Sequence, residues 1–301
     1  MNKLAKFVKN HSSFIIVMVA IITVIMGYYA LQIEIEAGIK DMLPEDNKVV
    51  EKYEDVQDTF GGMAFAAIML EDEEIIDSPT LKKIENMTAE LEGIKGVNEV
   101  KSLTNIEKIE GSVSGIEVNE FVKDLPQNNE ESQKIKEDLL SRDQYLGKIV
   151  TKNFKSTVLL AEIEDEDKPE AVVNRIQDAV KKYEGPEKIH ITGSPVMVAD
   201  ATDYMKDDLK RLLPFVIGVI LIILYLSFRS IRGVLLPIST VLISVIWAVG
   251  LQSLLGKSLS LVSTVLPVLL VSVGSAYAIH IVARYYEELK DGNDIDKAVE
   301  N

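Results

Sequence analysis

The chain has 301 residues, a 47% hydrophobic share and 6% aromatics, with 47 acids against 32 bases and a formal net charge of −15. That balance argues against a basic groove for nucleic acid, and the absence of cysteine rules out a disulfide framework. The apolar residues gather in four long runs with the charges between and after them. Such runs lack the wet face of a soluble helix.

Residues 1–13 carry Lys3, Lys6 and Lys9 and no acid, and read as a cytoplasmic N-terminus. Residues 14–31, FIIVMVAIITVIMGYYAL, are free of charge and form the first predicted membrane helix. Such a helix is about 27 Å long, close to the hydrocarbon thickness of a bilayer. The rival reading is a cleaved signal peptide. The apolar core is longer than a signal core, and no A-x-A site follows.

Residues 32–211 hold most of the acids and read as an acidic extracytoplasmic α/β domain. QIEIE (32–36) reads as a short alternating strand and NKVVEKYEDVQDTFG as a helix stopped by Gly61 and Gly62. AFAAIML (64–70) reads as a buried strand. In SPTLKKIENMTAELEGI, Ser78 is placed to cap a helix, Pro79 suits its first turn, and Gly93 ends it. VNEVKSL returns as a strand. Residues 105–125, rich in Gly, Ser and Glu, read as a loop or mobile flap. QNNEESQKIKEDLLSR then reads as a helix, GKIVT and STVLLAEIE as strands, KPEAVVNRIQDAVKKY as a helix and KIHITG as a strand. Two β–α–β units in series predict a ferredoxin-like α+β sandwich.

Three more membrane helices are predicted at 212–228, 234–255 and 261–282, followed by a cytoplasmic segment, 283–301. Arg229 and Arg232 in the RSIRG turn, and Arg284 after the fourth helix, fall on the same side as the N-terminal lysines. By the positive-inside rule these arginines anchor the cytoplasmic side. Lys257 in the opposite turn is a weak contrary vote. The chain is thus a multi-pass protein, placed in the plasma membrane.

No catalytic constellation is present. His11, His190 and His280 are scattered, and metal spacings such as C-x-x-C or H-E-x-x-H are missing, as are G-x-G-x-x-G and the P-loop. No enzyme activity and no cofactor are therefore expected. Acid pairs such as Asp72–Glu73 and Asp207–Asp208 suit a solvated face, with calcium binding as the minor alternative. Small residues in the spans (Gly218, Ser239, Gly250, Ser272, Gly274, Ser275, Ala276) mark places where helices approach. Pro267 is expected inside the fourth helix, freeing a carbonyl.

LSFRSIRGVLLPISTVLISVIWAVGLQSLLG and LPVLLVSVGSAYAIHIVARYYEE resemble the resistance-nodulation-division (RND) superfamily, above all its MMPL branch and the largely archaeal hydrophobe/amphiphile efflux group. The tokens are FRS at the cytoplasmic turn, LLP opening the third helix, a later tryptophan and glycine, and AYAIH…RYYEE. The resemblance implies an RND or sterol-sensing-like helical bundle carrying an extracytoplasmic porter-like domain. It implies ion-gradient-driven export of hydrophobic or amphiphilic molecules, or lipids. The alternatives are a non-transporting lipid-sensing scaffold and a protein-export accessory. Members usually carry six helices per half and two halves. These residues therefore correspond to the N-terminal part of one half, whose partners are membrane lipids, substrate, and either the remaining half or further copies of the chain.

The resemblance also frames the site. In the MMPL pattern an aspartate precedes the aromatic of the fourth-helix motif and carries protons. Here Ala276 holds that slot and Tyr277 the aromatic, and the four predicted spans contain no acid. A membrane carboxylate costs roughly 2.5–3.5 kcal/mol on insertion scales, so its absence argues against the standard relay. His280 lies one turn from Ala276 on the same face, and Arg284 one turn further. His280 is a substitute titrating group, with Tyr277, Ser272 or Ser275 as partners. The plainer reading, which we favour, puts His280 near the inner interface.

Overall fold

The computed structural model describes residues 7–8, 10–38, 47–60, 64–112, 115–142, 144–164 and 169–292. The chain divides into two compact units, Met1–Pro44 with Ala201–Asn301, and Glu45–Asp200.

The unit from Glu45 to Asp200 is built on one sheet. Its first elements are α2 (Lys48–Phe60), β1 (Ala64–Glu71), α3 (Ser78–Glu92) and β2 (Val97–Lys101). After β3 (Glu107–Ser112), β4 (Gly115–Glu120) and α4 (Asn129–Leu140) come β5 (Ser156–Ile163), α5 (Pro169–Lys181) and β6 (Lys188–Thr192). The main sheet has the order β2-β5-β1-β6, and every pairing in it is antiparallel. Strand alternation separates its faces. Ala66, Ile68 and Leu70 of β1 and Leu159, Ala161 and Ile163 of β5 are buried. They share a core with Leu81, Ile84, Met87 and Leu91 of α3 and Val172, Val173, Ile176 and Val180 of α5. On the other face of β1, Phe65 and Met69 are each 37% exposed. Gly193, at φ 125, turns the chain out of β6. A Cβ there would lie 2.1 Å from the Phe65 carbonyl oxygen, so only glycine fits.

Four sequence expectations need correction in or beside this unit. Residues 105–125 are not a loop: β3 and β4 form a hairpin with Ile109 opposite Val118 and Glu107 opposite Glu120, and residues 113–114 lie outside the described residues. Local antiparallel pairing outweighs the low strand propensity of Gly, Ser and Glu. GKIVT is a set of turns held by single bridges, Leu146 to Val150 and Val150 to Thr157, and no regular strand. The cap of α3 is Asp77, whose carboxylate accepts from the Thr80 amide at 2.8 Å; Ser78 is already helical. QIEIE makes only one bridge, Ile35 to Leu259, because its partner is a turn. Gly61 and Gly62, read as the stop of α2, lie outside the described residues.

In the other unit, α1 (Ser12–Ala30), α6 (Ser194–Phe228), α7 (Ile231–Leu254) and α8 (Val265–Lys290) give four spans long and apolar enough to cross a membrane. Helix α6 begins well before Leu212, where the apolar run starts. The sequence marks where hydrocarbon begins, not where the helix does. The Trp247 indole N–H donates to the Thr23 hydroxyl at 3.0 Å, and Gly250 lies against the Met26 backbone. The paired numbers rise together, so α1 and α7 run parallel. Ile220, Leu224, Val234, Ile238, Val241 and Val271 form the core joining α6, α7 and α8.

Candidate functional site in the membrane helices

Helix α8 carries the residues singled out by sequence. Pro267, Val271 and Ser275 are its buried positions within the membrane run, one turn apart on one face. That face meets the α6–α7 core through Val271. Gly274 lies beside it, and a Cβ there would touch Val241 of α7 at 3.4 Å. A methyl group there would make only ordinary contact, so the approach does not demand glycine. Pro267 is the third residue of α8, not an interior one. The amides of a first turn lack intrahelical acceptors, so proline frees no carbonyl there. The interior prolines are Pro214 of α6 and Pro237 of α7.

The opposite face of α8 is a different surface. Ser272, Ala276 and His280 are exposed, and Tyr277 is 69% exposed. Ala276 is therefore not part of the buried face of α8. The Ser275 hydroxyl donates to the Ser272 carbonyl oxygen at 2.8 Å. Five residues along a helix turn the direction by about 140°, so Ser275 and His280 diverge. Ser275 is buried away from His280, and among the described residues no hydrogen bond joins either serine to the His280 ring. Among the described residues no hydrogen bond of the His280 ring or the Tyr277 hydroxyl is found. Of the other small residues, Gly218 has open space around it, and the Ser239 hydroxyl is spent on the Leu236 carbonyl oxygen at 3.0 Å.

The arginines have separate fates. Arg229 is exposed and sits at φ 46, the left-handed conformation that ends α6. Ser230 next to it caps α7, accepting from the Gly233 amide at 3.1 Å. This explains the FRS token physically: Phe228 packs near Tyr286 of α8, Arg229 makes the turn, and Ser230 starts the next helix. Arg232 lies in the first turn of α7, and its side chain is outside the described set. Arg284 is ion-paired with Glu288 and, at 3.6 Å, with Glu287. Glu288 is 5% exposed. Sequence reasoning took Arg284 as a topology anchor and did not pair it with this buried carboxylate, although the four-residue spacing was visible.

Ionic contacts in the other unit are structural. Lys83 of α3 reaches Glu187 at 2.7 Å, and Glu90 of α3 accepts from Lys182 at 2.6 Å and from the Tyr183 hydroxyl at 2.8 Å. Hydrogen bonds from Lys182 and Tyr183 hold the Glu90 carboxyl below its ordinary value, and Lys83 does the same for Glu187. Burial, then the bond to Glu90, pushes Tyr183 up. Among the described residues no group of three or more His, Cys, Asp or Glu is placed to hold a metal ion.

Comparison with known proteins places this architecture. The profile of the MMPL family matches residues 41–301. A protein of Methanocaldococcus jannaschii described as a membrane protein is 28% identical over 316 residues, covering 100% of this chain and 78% of its own length. The sulfolipid-1 exporter MmpL8 of Mycobacterium tuberculosis is 31% identical over 107 residues, 34% of this chain and 10% of that protein. The transport protein MmpL12 of the same species is 29% identical over 115 residues, 37% of this chain and 10% of that protein.

Proposed function

This chain belongs to the MMPL family of membrane transporters, and from that premise we propose that it works in the ion-gradient-driven export of hydrophobic or amphiphilic molecules, lipids among them. The observation that carries the proposal is the family match across residues 41–301, which spans both the α/β unit and three of the four apolar helices. Residues 32–211 lie outside the cytoplasm and receive or pass on substrate, and the helices couple ion flow to that transfer. The strand order β2-β5-β1-β6, all antiparallel with α3 and α5 on one face, supports a ferredoxin-like reading of the α/β unit. The parallel run of α1 and α7 supports the four-pass arrangement, because both then end on the outer side. The protein sits in the plasma membrane with its N-terminus in the cytoplasm.

Proton relay through His280 is the weaker reading of the coupling. His280 and Tyr277 stand on the exposed face of α8 and lack the serine partners that a relay within this unit needs. Ala276 in the acid slot also favours the second function, a non-transporting lipid sensor. Flux separates the two. Proteoliposomes loaded with a fluorescent amphiphile, given a proton or sodium gradient, should lose dye faster than empty liposomes. Dye loss equal to the empty control under both gradients refutes transport and leaves the sensor.

A further inference from the structure

We propose that α6 is a hinged helix: a strap following α1 clasps its outer part at Thr202, and its membrane part swings about Pro214. The strap is the extended segment after α1. The Leu259 amide donates to the Glu34 carbonyl oxygen at 2.8 Å, and the Glu36 amide donates to the Leu259 carbonyl oxygen at 3.1 Å. One residue on, the Ala37 amide donates to the Thr202 hydroxyl at 3.2 Å. Ala37, Thr202 and Leu259 are 5%, 1% and 2% exposed, so these bonds are shielded from water. One short segment thereby ties the α7–α8 connection to α6.

The strap's own root is closely packed. It leaves α1, whose Met26 backbone would meet a Cβ at Gly250 at 2.2 Å and whose Thr23 takes the Trp247 indole N–H. At that approach α1 and α7 have no room to slide. The outer ends of α1, α6 and α7 therefore move together.

Below the clasp the restraints change in kind. Pro214 lies inside α6, so the Lys210 carbonyl has no helical donor there and the backbone is weakest at that turn. It is about 18 Å along the axis from Thr202. Beyond it, α6 contacts the other helices through Ile217, Ile220, Leu224 and Phe228, all apolar. Apolar helix contacts in a bilayer exchange for lipid tails with little directional cost. The pinned end, the proline and the apolar inner part together make a lever.

Hydrogen exchange of the whole chain in lipid nanodiscs tests this. Thr202→Val keeps the shape and removes the hydroxyl. It should speed exchange in peptides covering residues 33–37 about tenfold and leave 215–228 unchanged. Pro214→Ala restores a donor and should slow exchange around 211–218. The chain has no cysteine, so oxidising Ala37→Cys with Thr202→Cys closes the clasp without side products. That crosslink should form in membranes, protect the strap, and leave exchange across 215–228 as in the parent. Failure to crosslink, or an unaltered strap in Thr202→Val, overturns the clasp. Slowing of 215–228 by the crosslink, or no response to Pro214→Ala, overturns the hinge.

Discussion

Replacing Gly250 by alanine should separate α1 from α7. The added Cβ would stand 2.2 Å from the Met26 carbonyl oxygen, 2.8 Å from its carbon and 2.9 Å from its Cα. All three are backbone atoms, so no side-chain rotation relieves the clash. Ordinary contact needs roughly 3.4 Å or more between such atoms, so α1 must retreat by about 1 Å. That retreat carries Thr23 away from Trp247, whose bond is 3.0 Å, and takes it out of hydrogen-bond range. Overpacking costs about 1–3 kcal/mol, and an interhelical hydrogen bond in a bilayer adds about 0.6 kcal/mol. The sum is about 1.6–3.6 kcal/mol. Gly218→Ala is the control. No atom lies within 4 Å of its built Cβ, and alanine in a helix interior is favoured over glycine by about 0.5–1 kcal/mol. Unfolding in mild detergent, followed by Trp247 fluorescence and helical circular dichroism, should show Gly250→Ala lowered and Gly218→Ala unchanged or raised. If both alanines behave alike, the close crossing of α1 and α7 is refuted. Trp247→Phe should cost less in the Gly250→Ala background than in the parent, since the bond is already broken there.

Asp77→Ala should destabilise the α/β unit by about 1 kcal/mol in denaturant melts, while Ser78→Ala should leave it near the parent, because Asp77 is the cap. Arg229→Gly should stabilise the helical unit by about 1 kcal/mol by relieving a left-handed arginine; a loss of stability would instead give the side chain a structural bond. Glu90 and Glu187 titrate below their ordinary 4.5, so their stabilising effect is complete above that value and is lost as pH falls through the lowered ones. Tyr183 titrates above its ordinary 10.0, so its effect holds below that value and is lost as pH rises beyond it. Melts of the chain across pH should therefore lose stability at both extremes, and Glu90→Gln should weaken both arms without removing them, because Glu187 and the burial of Tyr183 remain. His280→Ala should leave pH-driven transport intact in the reconstituted protein; complete loss with normal folding would promote His280 to the relay.

The membrane helices were legible because hydrocarbon demands unbroken apolar runs, and runs of that length are rare by chance. The true start of α6 at Ser194 was not, since its outer part is wet and carries acids that signal no helix boundary. The β3–β4 hairpin escaped for another reason. Its pairing is set by what lies opposite each residue, while composition alone suggests a loop. In the site, spacing placed Ala276, Tyr277 and His280 near one another on α8, and they do share its exposed side. Spacing gives angles between residues of one helix and is silent about which side meets the neighbours. Spacing accordingly offers Ser275 as a partner of His280, although it is buried and its hydroxyl bonds the Ser272 carbonyl oxygen. The contacts Thr23–Trp247 and Ala37–Thr202 join residues far apart in the chain, and no local pattern announces them.

The central claim is that the chain crosses the membrane four times with its acidic α/β unit outside the cytoplasm. Single cysteines decide it in a chain that has none of its own. Glu130, whose side chain is 84% exposed on α4, and Arg229, exposed in the turn between α6 and α7, are suitable positions. Intact cells are treated with a membrane-impermeant maleimide, then permeabilised and treated again. The account predicts that Glu130→Cys labels at once and Arg229→Cys only after permeabilisation. Labelling of both at the same stage would contradict it.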